Sequence, residues 1–271
     1  MRIRIFFALI PLLLVAAVAQ DRPATSPGIY RIHKLTLISN DLPGTERDRI
    51  ARAFQGGTYN VDELAKRIRI RLRDTGYALS EVGVPQITRV RPAQSACNAD
   101  VRFAVHTGAQ YRFGGITLTA GPDDSVFPSA QLRAQFPLED GAIFNATAIG
   151  KGLEKLKDLY GSAGYANFGA IPKPEYDMPR HIVRLTIDMD QGRAVNFGKL
   201  LFEGIEPRAG VAQAMLAAWK ELQGKRYNSQ LLREWLKTNS AVWPSDTAKQ
   251  VFTSYVASAD PGTVNVLIQF R

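Results

Sequence analysis

Tyr111-Arg112-Phe113-Gly114-Gly115-Ile116-Thr117-Leu118 decides how the chain is read, because its pattern occurs three times. Tyr30-Arg31-Ile32-His33-Lys34-Leu35-Thr36-Leu37 lies 81 residues before it, and Val195-Asn196-Phe197-Gly198-Lys199-Leu200-Leu201-Phe202 lies 84 residues after it. None of the three needs a gap to match. The apolar residues start on one beat of a strand (Tyr30 and Ile32, Tyr111 and Phe113, Val195 and Phe197). They then change phase, to Leu35, Ile116 and Leu200. Successive strand residues point to opposite faces, so a phase slip implies an extra residue, a bulge. Gly114-Gly115 and Gly198 sit at the slip, where a missing Cβ relaxes the backbone, and His33-Lys34 takes that place in the first copy.

Working outward, the next shared feature is an apolar pair four residues apart: Ile50 and Phe54, Leu132 and Phe136, Met215 and Trp219. That spacing is one face of a short helix. A glycine and an aromatic-Asn pair follow each time: Gly57 with Tyr59-Asn60, Gly141 with Phe144-Asn145, Gly224 with Tyr227-Asn228. The glycine suits the turn that ends a first helix, the asparagine the N-cap of a second, and the aromatic the staple before the cap. Glu63, three residues after Asn60, suggests a capping box. The second helices carry the stripes Val61, Leu64, Ile68, Leu72; Ile149, Leu153, Leu156, Tyr160; and Leu231, Leu232, Trp235, Leu236. Gly76-Tyr77-Ala78 and Gly164-Tyr165-Ala166 end the first two, whereas the third copy has no Gly-Tyr.

Each copy closes on an alternating strand: Val101, Phe103, Val105; Val183, Leu185, Ile187, Met189; and Val264, Val266, Ile268, Phe270. One face is packed and the other wet. A less regular strand precedes each, near 78–84, 166–171 and 250–256. The expected fold class is therefore α+β, with three tandem βααββ modules. Each is a three-stranded mixed sheet covered on one face by two helices. The boundaries are 28–108, 109–192 and 193–271.

The first 19 residues stand apart. Arg2 and Arg4 precede an apolar run from Ile5 to Val15, and Ala17-Val18-Ala19 supplies small residues at a cleavage site. This is the pattern of a secretory leader, cut after Ala19, with 20–27 as a linker. Fifteen residues from Ile5 to Ala19 are short for a membrane span, and no later segment is long and apolar enough to cross as a helix. The composition, 45% hydrophobic and 22% charged, is that of a chain able to bury cores. A single cysteine, Cys97, excludes an internal disulfide framework.

The ordered set of motifs resembles POTRA (polypeptide-transport-associated) domains, in particular the periplasmic part of the outer-membrane-protein assembly factor family. Its carriers are Tyr111-Arg112-Phe113-Gly114-Gly115-Ile116, Gly141-Ala142-Ile143-Phe144, and the set Gly152, Leu153, Leu156, Tyr160, Gly164, Tyr165, Ala166. Asp190-Gln191-Gly192 before Val195-Asn196-Phe197-Gly198 completes it. The resemblance covers about 28–271 and is best in the second copy. Family members usually continue into a membrane β-barrel, and no residues for one follow Arg271 here. What the resemblance implies is therefore the binding module and not barrel insertion. It implies a periplasmic protein, associated with the outer membrane, that binds unfolded outer-membrane proteins or a subunit of an assembly complex. A scaffold for one folded envelope partner, or a degenerate or split family member, are the alternatives. The implied mode is β-augmentation at the second strand of a module. The implied contact residues are Leu79, Ser80, Glu81, Val82, Gly83 and Val84, and Asn167, Phe168, Gly169, Ala170 and Ile171.

Other functions find little support in the residues. His33, His106 and His181 are widely separated and form no metal-ligand spacing, and no cofactor motif is present. Asp123-Asp124 falls in a loop, and Asp188 with Asp190 falls on a strand's wet face, where carboxylates are solvated. Gly56-Gly57 and Gly114-Gly115 precede no G-K-[ST]. The formal charge of +9 favours anionic surroundings. Its densest run, Lys66-Arg67, Arg69, Arg71 and Arg73, reads as the solvated face of a helix, without the aromatic interleaving of a nucleic-acid site. The expectation is a non-enzymatic, polypeptide-binding protein without cofactor, metal or nucleic-acid partner.

Overall fold

In every module the first and last strands run side by side and parallel. β1 (Ile29–Ile38) pairs with β5 (Asn98–His106), β6 (Arg112–Ala120) with β8 (Ile182–Asp190), and β9 (Asn196–Gly204) with β11 (Thr263–Phe270). Parallel neighbours require a crossover, and here each crossover carries two helices. They are α1 (Gly44–Phe54) and α2 (Val61–Asp74), α3 (Ser129–Arg133) and α4 (Ala146–Ser162), and α5 (Ala209–Trp219) and α6 (Ser229–Asn239). The computed structural model describes residues 28–89, 98–120, 125–204, 209–239 and 251–270. The leader and linker, Cys97 and Asp123-Asp124 lie outside the described residues.

The remaining strands pair antiparallel with the last strand of their module and form one edge of its sheet. They are β3 (Glu81–Val82) with β4 (Gln86–Arg89), β7 (Gly169–Asp177), and β10 (Val251–Ala257). The sheets are thus mixed, and the α+β reading holds. One element was not legible. The chain after each first helix returns antiparallel to the first strand, as β2 (Thr58–Asn60) in module 1 and as the single bridges Arg112↔Ile143 and Asn196↔Arg226 in the others. Two or three residues carry no detectable period.

The phase slip is the same bulge three times. Ile32 faces Ala99 and Leu35 faces Val101; Phe113 faces Val183 and Ile116 faces Leu185; Phe197 faces Val264 and Leu200 faces Val266. Two residues therefore oppose one, which turns the strand so that both of its halves bury their apolar side chains. A Cβ on Gly114 would come within 2.3 Å of Ile182, and one on Gly198 within 2.5 Å of the Asn265 side chain. In module 3 the bulge is locked by Trp219, whose Nε1 donates to the Gly198 carbonyl at 2.9 Å.

Each module has its own core, and the helical stripes fall on it. Leu64, Ile68 and Leu72, then Leu156 and Tyr160, then Met215 and Trp219 are all but inaccessible. Three details differ from the sequence reading. Helix α3 stops at Arg133, and Phe136 is buried from the turn that follows. Leu231 is 40% exposed, because Leu232 and Trp235 already cover the core. The left-handed glycine of module 1 is Gly56 (φ +82°), the counterpart of Gly141 and Gly224, and not Gly57. These three glycines shape the turn onto the first strand and do not cap the helix. Their N–H groups donate to Ile32, Phe113 and Phe197 carbonyls at 2.7, 2.7 and 2.8 Å.

The asparagines cap as expected, and the second and third also join the modules. Asn60 Oδ1 accepts from Asp62 N, Asn145 Oδ1 from Ala148 N, and Asn228 Oδ1 from Gln230 N and Leu231 N. Glu63 does not complete a capping box with Asn60 but bonds Arg67. The amide of Asn145 reaches back to the Asp74 carbonyl at 3.1 Å, and that of Asn228 to the Ser162 carbonyl at 3.0 Å. Those carbonyls end the preceding module's second helix. Beside them, Tyr111 N donates to Gly76 O at 2.8 Å and Val195 N to Gly164 O at 2.9 Å. Gly76 and Gly164 are left-handed (φ +92° and +105°) and close their helices in Schellman turns through Tyr77 N→Leu72 O and Tyr165 N→Tyr160 O. The Gly-Tyr pair is therefore a socket for the next module. Ala78 packs in the core of module 2 and Ala166 in that of module 3.

Replacing Asn60 with alanine should cost about 1 kcal/mol, the ordinary price of a lost cap. Asn145→Ala and Asn228→Ala should cost roughly 1 kcal/mol more, since each also strands a helix-end carbonyl at a joint. Urea denaturation of the variants checks the difference. Gly76→Ala should lower stability by at least ~1 kcal/mol, from its positive φ and from a Cβ only 3.1 Å from the Tyr111 carbonyl.

Candidate functional site

Each second strand is one edge of its sheet, and the three backbones differ. In module 1, Gly83 N donates to Ala104 O at 2.8 Å, so Gly83 faces inward and Val82 turns its N–H and C=O outward. Val82 is a core-facing residue, paired with Val105. The ladder then slips by one residue before Gln86, around Val84 and Pro85. This edge is short and broken.

In module 2 the strand begins later and runs longer than expected. Leu79 and Ser80 in module 1, and Asn167 and Phe168 in module 2, are not strand residues. They form the tight turn after the Gly-Tyr socket, with Ser80 N→Tyr77 O and Phe168 N→Tyr165 O, and the Ser80 and Phe168 side chains are buried. Glu81 and Val82 are in β3, Gly83 and Val84 follow it, and Gly169, Ala170 and Ile171 open β7. The ladder of β7 is unbroken from Gly169 to Asp177 and contains Pro172 and Pro174. Proline has no N–H, so in a continuous ladder both prolines must face outward. They oppose Ile187 and Leu185, which are buried, so the outward positions again lie on the helix-covered side of the sheet, although Pro172 and Pro174 are themselves exposed.

In module 3 the counterparts of Pro172 and Pro174 are Thr253 and Tyr255, opposite Ile268 and Val266. Strand β10, Val251-Phe252-Thr253-Ser254-Tyr255-Val256-Ala257, has seven residues without proline, glycine, charge or bulge. Beside it lies a groove of about 390 Å3 floored by Thr253 and Tyr255 and walled by Leu232, Leu236 and Arg233 of α6 and by Asp158 of α4. Arg233 and Asp158 are ion-paired at 2.7 Å across the joint. The Tyr227 and Tyr255 hydroxyls meet at 2.6 Å, and burial raises the Tyr227 phenol far above its ordinary range, helped by its bond to Tyr255.

The histidines are spread as the sequence suggests. His33 Nδ1 lies 2.8 Å from Asp100 across the first bulge, and His106 Nδ1 lies 2.8 Å from Asp41. Asp41 also accepts from the Ser39 hydroxyl and from Thr107 N and Gly108 N. The Ser39 bond, with the two backbone N–H groups, holds its carboxyl well below the usual range. Ser39 and His106 both address Asp41 and not each other, so the cluster ties the exit of β5 and is not a nucleophile-base pair. Asp188 is bonded by Lys173 and Thr119, which lower its pKa. No group of three or more His, Cys, Asp or Glu able to hold a metal ion occurs among the described residues.

Three covalently joined mixed-sheet modules, each with its second strand at a sheet edge, define a tandem array of one small α+β fold. Residues 111–192 match the POTRA family model, described as a surface antigen variable number repeat, so the second module is similar to POTRA domains. POTRA domains 3–5 of BamA from Haemophilus influenzae superpose with a TM-score of 0.66, covering 90% of this chain and 97% of that one at 18% identity. The whole array thus shares that fold. A putative outer membrane protein assembly factor of Treponema pallidum (strain Nichols) is 30% identical over 95 residues. The match spans 35% of this chain but only 11% of that relative's length.

Because the folded-state pKa of Asp41 is depressed, its contribution to stability is complete above about pH 4 and is lost as pH falls below that value. Asp41→Asn should flatten this acid limb in pH-dependent thermal denaturation, with the two curves converging at the acid end.

Proposed function

We propose that the protein is a non-enzymatic scaffold of outer-membrane protein assembly that holds extended polypeptides by β-augmentation, chiefly at β10 of module 3. The relative named an assembly factor and the match to the POTRA model support the setting. The periplasm is the compartment that fits the leader pattern. No helix among the described residues is long and apolar enough to cross a membrane.

The observation that carries the choice of edge is the contrast between Pro172-Lys173-Pro174 and Thr253-Ser254-Tyr255. An incoming strand bonds to main-chain N–H and C=O groups, which makes the affinity tolerant of sequence. Strand β7 has lost two consecutive outward N–H groups to proline, a common way of closing an edge. Strand β3 offers Val82 before its ladder slips. Strand β10 keeps a full row, and the adjoining groove can receive alternate side chains of a bound strand. The edges named from the resemblance, at 79–84 and 167–171, are thus the weaker acceptors.

Thr253→Pro copies into module 3 what module 2 already has, at a position where the ladder tolerates it. It should abolish binding of barrel-strand peptides, measured by fluorescence anisotropy, with little change in melting temperature. Pro172→Thr with Pro174→Thr should create a second site. Hydrogen exchange should show protection at 251–257 on binding. Unchanged binding by Thr253→Pro, or peptide contacts that avoid all three edges, would refute the reading.

A further inference from the structure

The three copies of the second helix provide an internal comparison, and α2 departs from the other two in charge. From Lys66 to Arg73 it carries five basic residues and no acidic one. The corresponding face of α4 mixes Lys151, Lys155 and Lys157 with Glu154 and Asp158, and α6 sets Glu234 between Arg233 and Lys237. The imbalance extends to whole modules. Residues 28–108 hold 13 Lys and Arg against 8 Asp and Glu, whereas 109–192 hold 8 against 10.

The geometry concentrates this charge. Leu64, Ile68 and Leu72 fix the buried side of α2. Residues 66, 69, 70 and 73 fall at helical spacing on the opposite side. Lys66 and Arg73 are exposed, Arg69 is half-buried, and Ile70 lies between them, 50% exposed. Arg67 is paired with Glu63, but Lys66, Arg69, Arg71 and Arg73 make no ion pair among the described residues. Arg71 and Arg73 complement the dipole at the end of the helix, but Lys66 and Arg69 lie outside the last turn, and like charges three and four residues apart destabilise a helix. The outer side of a helix is convex. An exposed apolar side chain flanked by unpaired Lys66 and Arg73 matches a flat anionic surface into which the apolar group can dip.

We infer that the outer face of α2 docks module 1 on an anionic phospholipid surface, with Lys66, Arg69 and Arg73 at the headgroups and Ile70 between them. This is independent of the edge-strand reading, since it uses the opposite layer of another module.

The test is flotation of the processed chain, free of its apolar leader, with vesicles of phosphatidylglycerol or of phosphatidylcholine. Binding should be confined to the anionic vesicles and should fall in high salt. Lys66→Glu, Arg69→Glu and Arg73→Glu together should weaken it about a hundred-fold. The matching glutamine triple, which adds no negative charge to the helix, should also weaken it and covers the case in which reversal disturbs folding. Lys151→Glu with Lys155→Glu, which moves net charge on the same element of module 2, should have only a small effect. Ile70→Ser should weaken vesicle binding several-fold while leaving any binding of soluble polyglutamate unchanged. Equal binding to both vesicle types, or equal loss from the α4 variants, overturns the proposal. So does tight binding of polyglutamate with none of vesicles, which would assign the face to an acidic polypeptide.

Discussion

The array depends on one side chain that bonds in two directions. The carboxamide of Asn145 accepts from the start of its own helix and donates to the end of the preceding one, and Asn228 repeats the arrangement. Helix ends leave carbonyl and N–H groups without intrahelical partners. Placing the end of one helix beside the start of the next lets a single residue satisfy both. The left-handed glycine and the first backbone N–H of the following module complete the contact. Because these bonds recur at both joints, the modules are joined by the same geometry twice, and their cores share the small residues Ala78 and Ala166 across the boundaries.

Much of this was legible because the chain supplies three readings of one plan. Alternation in the last strands, the bulge phase slip and the cap asparagines all rest on local chemistry that survives divergence. The glycine of module 1 was misplaced by one residue because Gly56 and Gly57 are adjacent, and only the backbone angle tells them apart. The site was less legible. The turn at Leu79-Ser80 and Asn167-Phe168 looks like strand because Leu79 and Phe168 continue an apolar pattern, and Phe168 is buried for tertiary reasons. Pro172 and Pro174 lie beyond the segment first assigned to the edge. The short return strand and the second function of the asparagines require knowing which module ends lie together, and no single-copy pattern contains that.

The edges and the charged helix differ from copy to copy. The fold places a second strand at a sheet edge in all three modules, and sequence sets the state of its main chain: prolines in module 2, a broken ladder in module 1, a clean row in module 3. The same holds for the second helices, whose inner sides are alike and whose outer sides differ. Function in such an array is read from departures between copies, and fold from agreements.

The joint also has an asymmetry between its halves. The carbonyls of Asp74, Gly76, Ser162 and Gly164 accept from the main chain or from the asparagine amide, and at the first joint the Asp74 carboxylate also accepts from Thr147 N and Oγ1. Mutation can change the residue on the accepting side without removing the oxygen: Asp74 and Ser162 fill the same role. On the donating side, only a residue with both a carbonyl and an amide at that reach will serve. Side chains at the carbonyl positions can thus drift between copies, while the left-handed glycines and the asparagines are confined. A module taken from another such array could be grafted here if it brings its asparagine and meets a Gly-Tyr end.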